Sequence, residues 1–199
     1  MNNNNNNRTL SSSNYLFIDQ INLISKENMK PLKAFIVLMM LVGIISCNDN
    51  NVIRNISVYR YTELLKANQY DSINLPAFTY DDIPALLTYR NDTQVITNFP
   101  HNGISSLYAP ECKMGMYVLW TIESIRAVSI NSEYLIMRFP SQNPILALRD
   151  STGLQLVSDD ASHEIAAKAY YDWWENNKGK NYNEFKNTDP LTGTAYKWH

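Results

Sequence analysis

The residues in this sequence whose type and spacing come nearest to a catalytic pair are carboxylates. Two adjacent acidic pairs occur, Asp81-Asp82 and Asp159-Asp160, and Glu111 lies between them in the chain. A glycoside hydrolase needs two carboxyl groups that face each other across a cleft, and Asp81, Asp82 and Glu111 are the candidate acids of a glycan or cell-wall hydrolase. Both pairs also stand where helices are expected to start, and carboxylates there cap backbone N–H groups. Capping is therefore the favoured explanation of the two pairs.

The histidines and cysteines indicate no metal or cofactor site. His101, His163 and His199 are spaced so that no two share a helix face, and the sequence has no Cys-x-x-Cys motif. Zinc sites usually draw on such local spacings. We therefore assign neither a metal nor a cofactor to this chain.

Nucleophilic catalysis has equally little support in the sequence. Cys112 could form a thiol–imidazole pair with His101 or His163, but its apolar helical surroundings predict a buried thiol, with the histidines on the surface. The run Gly103-Ile104-Ser105-Ser106-Leu107 lacks the closing glycine of a nucleophile elbow. The six glycines are scattered, which is unlike a phosphate-binding loop. We therefore favour the interpretation that the domain is not catalytic.

Aromatic side chains are the one residue class whose grouping suggests a ligand surface. Tyr170-Tyr171 and Trp173-Trp174 are adjacent pairs in a predicted helix. Because helical neighbours point about 100° apart, one member of each pair can be buried while the other lies at the rim and binds a ligand such as a glycan. An aromatic core is the alternative, and we favour it because large aromatic rings dominate core burial.

A short apolar segment lies immediately before Cys47. Lys30 and Lys33 precede the run Ala34–Ile45, which contains no polar side chain. As a helix this run spans only about 18 Å, whereas a bilayer core needs about 20 residues. Its length and its basic flank are typical of the apolar region of a secretory signal peptide.

The end of this segment, Ile44-Ile45-Ser46-Cys47, resembles the lipobox of bacterial lipoproteins, although Ile44 stands where leucine is usual. The resemblance implies cleavage between Ser46 and Cys47 and lipid on the Cys47 thiol. Two or three acyl chains, at about 0.8 kcal/mol for each buried methylene, anchor a protein stably. It also implies a place in the bacterial cell envelope, with the outer membrane as the favoured membrane.

The sequence divides into four parts on this interpretation. Residues 1–28 form an Asn-rich extension that we expect to be disordered, and Met29 is the alternative start of translation. Residues 29–46 form the signal peptide, residues 47–55 a tether, and residues 56–199 one globular domain. The whole chain has a net charge of −2, and removal of residues 1–46 leaves about −4. This acidity argues against a nucleic-acid partner.

The elements that must position any site are mostly helical. Apolar spacing and start signals predict four helices, near Ser57–Asn68, Thr79–Arg90, Pro110–Ile130 and Asp160–Lys178. Three short β-like runs follow the third helix, at Tyr134–Phe139, Pro144–Arg149 and Leu154–Val157. The predicted fold is mostly α with a small β hairpin or meander, an α+β class with about four helices in one compact domain. Tyr196 and Trp198 are expected to hold the C-terminal segment against it.

The exported part resembles uncharacterised small lipoproteins of gut Bacteroidetes. The segments Phe78–Leu87, Ile96–Pro100 and Gly115–Arg126 carry this resemblance, which implies a location and no mechanism. The favoured function is a membrane-anchored envelope lipoprotein that acts as a non-catalytic binding or interaction module, with an envelope protein or a glycan as partner. The alternative is the glycan or cell-wall hydrolase described above.

Overall fold

Helices carry most of the regular structure in residues 56–107 and 109–199, the part of the chain that the computed structural model describes. These helices are α1 (Val58–Lys66), α2 (Ile83–Leu87), α3 (Met114–Ser129), α4 (Asp160–Glu175) and α5 (Tyr182–Phe185), and a 3-10 turn, Tyr80–Asp82, leads into α2. In the described part, no helix has both the length and the apolar character that crossing a membrane requires. Cys47 and the segments predicted within residues 1–55 lie outside the described residues.

Two small antiparallel sheets complete the fold. The first pairs β1 (Val95–Ile96) with β2 (Cys112–Lys113), and the second has the order β4-β3-β5, formed by Leu156–Val157, Leu146–Leu148 and Tyr196–Trp198. Leu146 pairs with Val157 on one side and with Trp198 on the other. The C-terminal strand is thus held against the domain, and the expected α+β class with a small β meander is confirmed.

Helix α3 forms the centre of the molecule because nearly all of its sides are buried. Of its sixteen residues only Arg126, Val128 and Ser129 are not buried, and it packs against α2 and α4. Tyr61 and Leu65 of α1 belong to the same core. The apolar spacing of the sequence therefore located the central element correctly.

The start of α3 differs from the prediction. Residues Pro110 and Glu111 are not helical, and Cys112 lies in β2, where it pairs with Ile96. The Met114 N–H donates to the Gln94 carbonyl at 2.8 Å. In a helix that began at Pro110, the same N–H would have to donate to the Pro110 carbonyl. Cys112 is buried as expected, but in a strand rather than a helix.

The run Tyr134–Phe139 is a turn, not the predicted strand. Its regular pairing is a single bridge in which Ile136 and Phe139 exchange backbone hydrogen bonds of 3.1 and 2.9 Å. Met137 has φ of +57°, a left-handed conformation that a strand does not contain. Phe139 of this run is buried in the core, whereas Tyr134 and Met137 are exposed.

Capping explains one member of each acidic pair, whereas Asp81 is exposed and Asp160 forms an ion pair with Lys113. Asp82 accepts the Thr79 N–H at 2.9 Å before α2, and Asp159 accepts the Ser162 N–H at 2.7 Å at the start of α4. These carboxylates satisfy backbone donors that would otherwise lack a helical partner.

Candidate functional site

A cavity of about 710 Å³ lies where α3, the segment that follows it and β5 meet. Its size falls in the range of sites that bind small ligands. Its lining combines charged, amide and aromatic side chains, which come from distant parts of the chain: Glu123, Arg126, Tyr134, Gln142, Arg149, Asp189, Trp198 and His199.

A buried ion pair forms the floor of this cavity. Arg126 donates from Nε to Glu123 Oε2 at 2.9 Å and from a terminal nitrogen to Oε1 at 2.5 Å. The two side chains are only 11% and 8% exposed, respectively. This bidentate geometry is the strongest arrangement for a guanidinium and a carboxylate.

Two aromatic residues extend the pair into a hydrogen-bonded chain. The Tyr170 hydroxyl donates to Glu123 Oε2 at 2.9 Å, and Trp198 Nε1 donates to the Tyr170 hydroxyl at 2.8 Å. Burial, with the nearby Glu123 carboxylate, raises the pKa of Tyr170 well above its ordinary value, so its proton stays in this chain of bonds. The chain joins α3, α4 and β5 and fixes the orientation of the Trp198 ring.

A second ion pair lies at the open side of the cavity. Arg149 donates to Asp189 Oδ2 at 3.1 Å and to the Tyr196 carbonyl at 2.8 Å. Both side chains are about one-third exposed, in contrast to the Glu123–Arg126 pair. The Arg149 guanidinium and the Asp189 carboxylate are therefore held in fixed positions where solvent reaches them.

The chemistry open to Glu123 is limited by its partners. Burial raises the pKa of its carboxyl group, although Arg126 and Tyr170 donate to it. Three donated bonds, two from Arg126 and one from the Tyr170 hydroxyl, hold its two oxygens in place. A general acid or base must reach the reacting group directly or through one water molecule, and Glu123 is better suited to hold the walls of the cavity together.

The acids proposed from the sequence are not brought together at this site. Asp81 is exposed at the surface and Asp82 caps a helix. Glu111 lines a different cavity, of about 380 Å³, beside Cys112, and neither Asp81 nor Asp82 lines that cavity. The described structure does not place these three carboxylates across one cleft.

The four aromatic residues singled out in α4 divide between core and surface. Tyr170 and Trp173 are buried, Trp174 is half-buried, and Tyr171 is exposed with the Arg90 guanidinium 4.3 Å from its ring centre. Tyr170 and Trp173 therefore do not offer a ring face to solvent, whereas Tyr171 is partly exposed beside the Arg90 guanidinium.

The histidines and Cys112 show one departure from expectation. His163 is buried rather than exposed, and its Nε2 lies 2.8 Å from the Arg90 carbonyl. Burial raises the pKa of the Cys112 thiol to about 12, so it is protonated at neutral pH. The described residues contain no group of three or more His, Cys, Asp or Glu side chains that could hold a metal ion.

Sequence reasoning missed Glu123, Arg126, Arg149 and Asp189 as site residues. One signal was available: Glu123 and Arg126 are spaced three apart in a strongly apolar segment, Met114–Ser129, a position where charges are rare unless they are paired. Arg149 and Asp189 are forty residues apart, and local patterns do not reveal such a pair.

Comparison with known proteins gives one match. A family model described as "Domain of unknown function (DUF4943)" matches residues 52–199. No curated protein and no solved structure matches the chain. The match covers all of the residues that form the cavity.

Proposed function

Because the chain belongs to the DUF4943 family, whose description assigns no activity, we propose a function from its own residues. The protein is a lipid-anchored lipoprotein of the bacterial cell envelope, and its globular domain is a non-catalytic module that binds a glycan in the 710 Å³ cavity. The observation that carries the proposal is the set of paired, oriented polar groups that line this cavity beside Trp198.

The state of the carboxylates supports binding over hydrolysis. Glu123 accepts bonds from Arg126 and Tyr170, and Asp189 accepts one from Arg149. These bonds hold both carboxylates against protein groups, which suits them to orient the neighbouring side chains for binding. The charged partner of each carboxylate offsets part of the cost of removing it from water.

The composition of the lining supports a saccharide as the ligand. Sugar hydroxyls form bonds to planar groups such as the guanidinium of Arg149 and the amide of Gln142. The C–H faces of a sugar ring pack on aromatic rings, which Trp198 and Tyr134 provide. Tyr134 is 70% exposed, so its ring is accessible to an incoming ligand.

The anchor part of the proposal rests on the lipobox-like segment that ends at Cys47. We expect radioactive palmitate to label the protein in cells and expect Cys47→Ala to abolish the label. Cys112→Ala is the matched control, since it removes the other cysteine of the chain. Labelling that survives Cys47→Ala would contradict the anchor.

Calorimetric titration of the detergent-solubilised protein with peptidoglycan fragments and neutral glucan oligosaccharides tests the binding site. We expect saturable binding and an affinity about tenfold lower in Tyr134→Ala, because an aromatic contact of this kind contributes on the order of 1 kcal/mol. Tyr59→Ala is the matched control because Tyr59 has a similar exposure of 67% and does not line the cavity.

Two outcomes would count against the proposed function. Equal affinity in the wild type and in Tyr134→Ala would remove the cavity as the site. New reducing ends released from the bound oligosaccharide would favour the hydrolase instead of the binding module.

A further inference from the structure

A second cavity, of about 590 Å³, contains a positively charged side chain without a counterion. Arg138 lines this cavity together with Tyr80, Tyr182 and Lys180. The Arg138 guanidinium donates to the Phe78 carbonyl at 3.0 Å, but its Nε atom is buried and has no hydrogen-bond partner. Among the described residues it forms no ion pair.

The backbone holds Arg138 in this position at some cost. Met137, immediately before it, has φ of +57°, which is unfavourable for a residue with a side chain. The Ser124 hydroxyl of α3 donates to the Arg138 carbonyl, and the Ile136–Phe139 bridge closes the turn. A strained turn that is fixed on both sides and presents an unpaired guanidinium is typical of a functional position.

We propose that this cavity, the Arg138 cavity, is an anion-binding site that takes the carboxylate or phosphate group of a small ligand. The terminal N–H groups of Arg138 that do not bond the Phe78 carbonyl supply charged donors of the kind that such oxyanions accept. Lys180 supplies a second positive charge at the cavity wall. This site is separate from the glycan cavity and does not depend on that proposal.

The surroundings do not compete for the guanidinium. No Asp or Glu side chain is among the described residues that line the Arg138 cavity. The nearby carboxylate of Glu184 accepts the Asn181 N–H at 3.3 Å, in a helix cap. Burial lowers the pKa of Arg138, which is the effect of desolvation without a compensating carboxylate.

The end of α3 also faces this cavity, and its partial negative charge would oppose an anion. Lys186 offsets this partial negative charge, because its Nζ donates to the Ser129 carbonyl at 3.2 Å. Tyr80 and Tyr182 also line the cavity, and their rings stack on each other with centres 5.2 Å apart.

Titration of the detergent-solubilised full chain with inorganic phosphate and with glucuronate tests the site. Glucose serves as the uncharged counterpart of glucuronate, and chloride keeps the ionic strength constant. We expect saturable binding of at least one of the two anions, and we expect Arg138→Gln to weaken that binding while it leaves the response to glucose unchanged. The anion that binds identifies the acidic group. Loss of one charged hydrogen-bonding partner in Arg138→Gln should weaken binding about tenfold.

Two further variants make the test independent of folding. Lys180→Gln changes an exposed residue and should weaken binding by about threefold. Arg60→Gln removes an exposed arginine of α1 that does not line the cavity, and should leave the affinity unchanged. The proposal is overturned if neither anion binds saturably, or if Arg138→Gln and Lys180→Gln both bind as tightly as Arg60→Gln.

Discussion

At the scale of single residues, the Glu123–Arg126 pair is the feature that distinguishes this core from an ordinary apolar one. Two charges in the middle of α3 are desolvated, and the bidentate contact with the added Tyr170 hydroxyl compensates them. A buried pair of this kind contributes little net stability, but loss of one partner leaves an uncompensated charge.

We therefore expect Glu123→Gln to lower the free energy of unfolding by about 3 kcal/mol, because Arg126 stays buried without its counterion. The double variant Glu123→Leu with Arg126→Met should recover most of this loss, since apolar side chains of similar volume replace the pair. Urea denaturation measures both. A double variant that is less stable than the single variant would mean that the pair itself stabilises the fold.

His163 gives the molecule a dependence on pH at the same scale. Burial lowers the pKa of its ring, although the Arg90 carbonyl, Asp160 and Glu164 favour the charged form, and Lys113 opposes it. The unfolded chain takes up the proton near the ordinary value of about 6.5, whereas the folded protein resists it until lower pH. The folded state therefore loses stability as the pH falls below about 6.5.

We expect the free energy of unfolding to decrease between about pH 7 and pH 5, and the decrease to be smaller in His163→Gln. Glutamine keeps an N–H donor near the Arg90 carbonyl but does not titrate. Some decrease should persist, because burial also lowers the pKa values of His101 and His199. An identical pH profile in wild type and His163→Gln would contradict this assignment.

At the scale of elements, the first turn of α3 is where three segments pack most closely. A Cβ atom on Gly115 would lie 2.4 Å from the Arg90 carbonyl oxygen and 2.5 Å from His163 Nε2. The Gly115 N–H also donates to the Asp92 carbonyl at 2.8 Å. The absence of a side chain is thus what allows α3, α4 and the segment after α2 to meet.

Gly115→Ala should destabilise the protein by about 2 kcal/mol, because the backbone oxygen of Arg90 must shift to admit the methyl group. Gly103→Ala is the matched control, as a Cβ there meets nothing within 4 Å. Thermal unfolding of the two variants side by side measures the difference. Equal melting temperatures would show that the contact at Gly115 relaxes freely.

The sequence predicted the elements where local physics decides them. The apolar spacing of α3 and the caps at Asp82 and Asp159 were correct because they depend on neighbouring residues. The predicted start of α3 was wrong because Cys112 pairs with Ile96 and therefore lies in a strand. Ile96 is sixteen residues earlier in the chain, so the local pattern around Cys112 does not show this pairing. The turn at Met137 was missed because nothing in its apolar run indicates a positive φ.

At the scale of the whole molecule, the site is a product of tertiary structure. Glu123 and Arg126 are close in sequence, but Tyr170 and Trp198 reach them only when α4 and β5 pack against α3. The prediction of Asp81, Asp82 and Glu111 as acids rested on residue type, and in the fold Glu111 lines a cavity that neither aspartate lines. The sequence alone could have indicated a charged pair in α3, but it could not have indicated the cavity that this pair lines.

The most direct test of a glycan-binding cavity is a crystal structure of the protein with the oligosaccharide that binds most tightly in solution. We expect an intact saccharide in the 710 Å³ cavity, with a ring packed on Tyr134 or Trp198 and hydroxyl groups bonded to Arg149 and Gln142. A saccharide bound at another surface, or a cleaved product beside Glu123 or Asp189, would contradict the proposal.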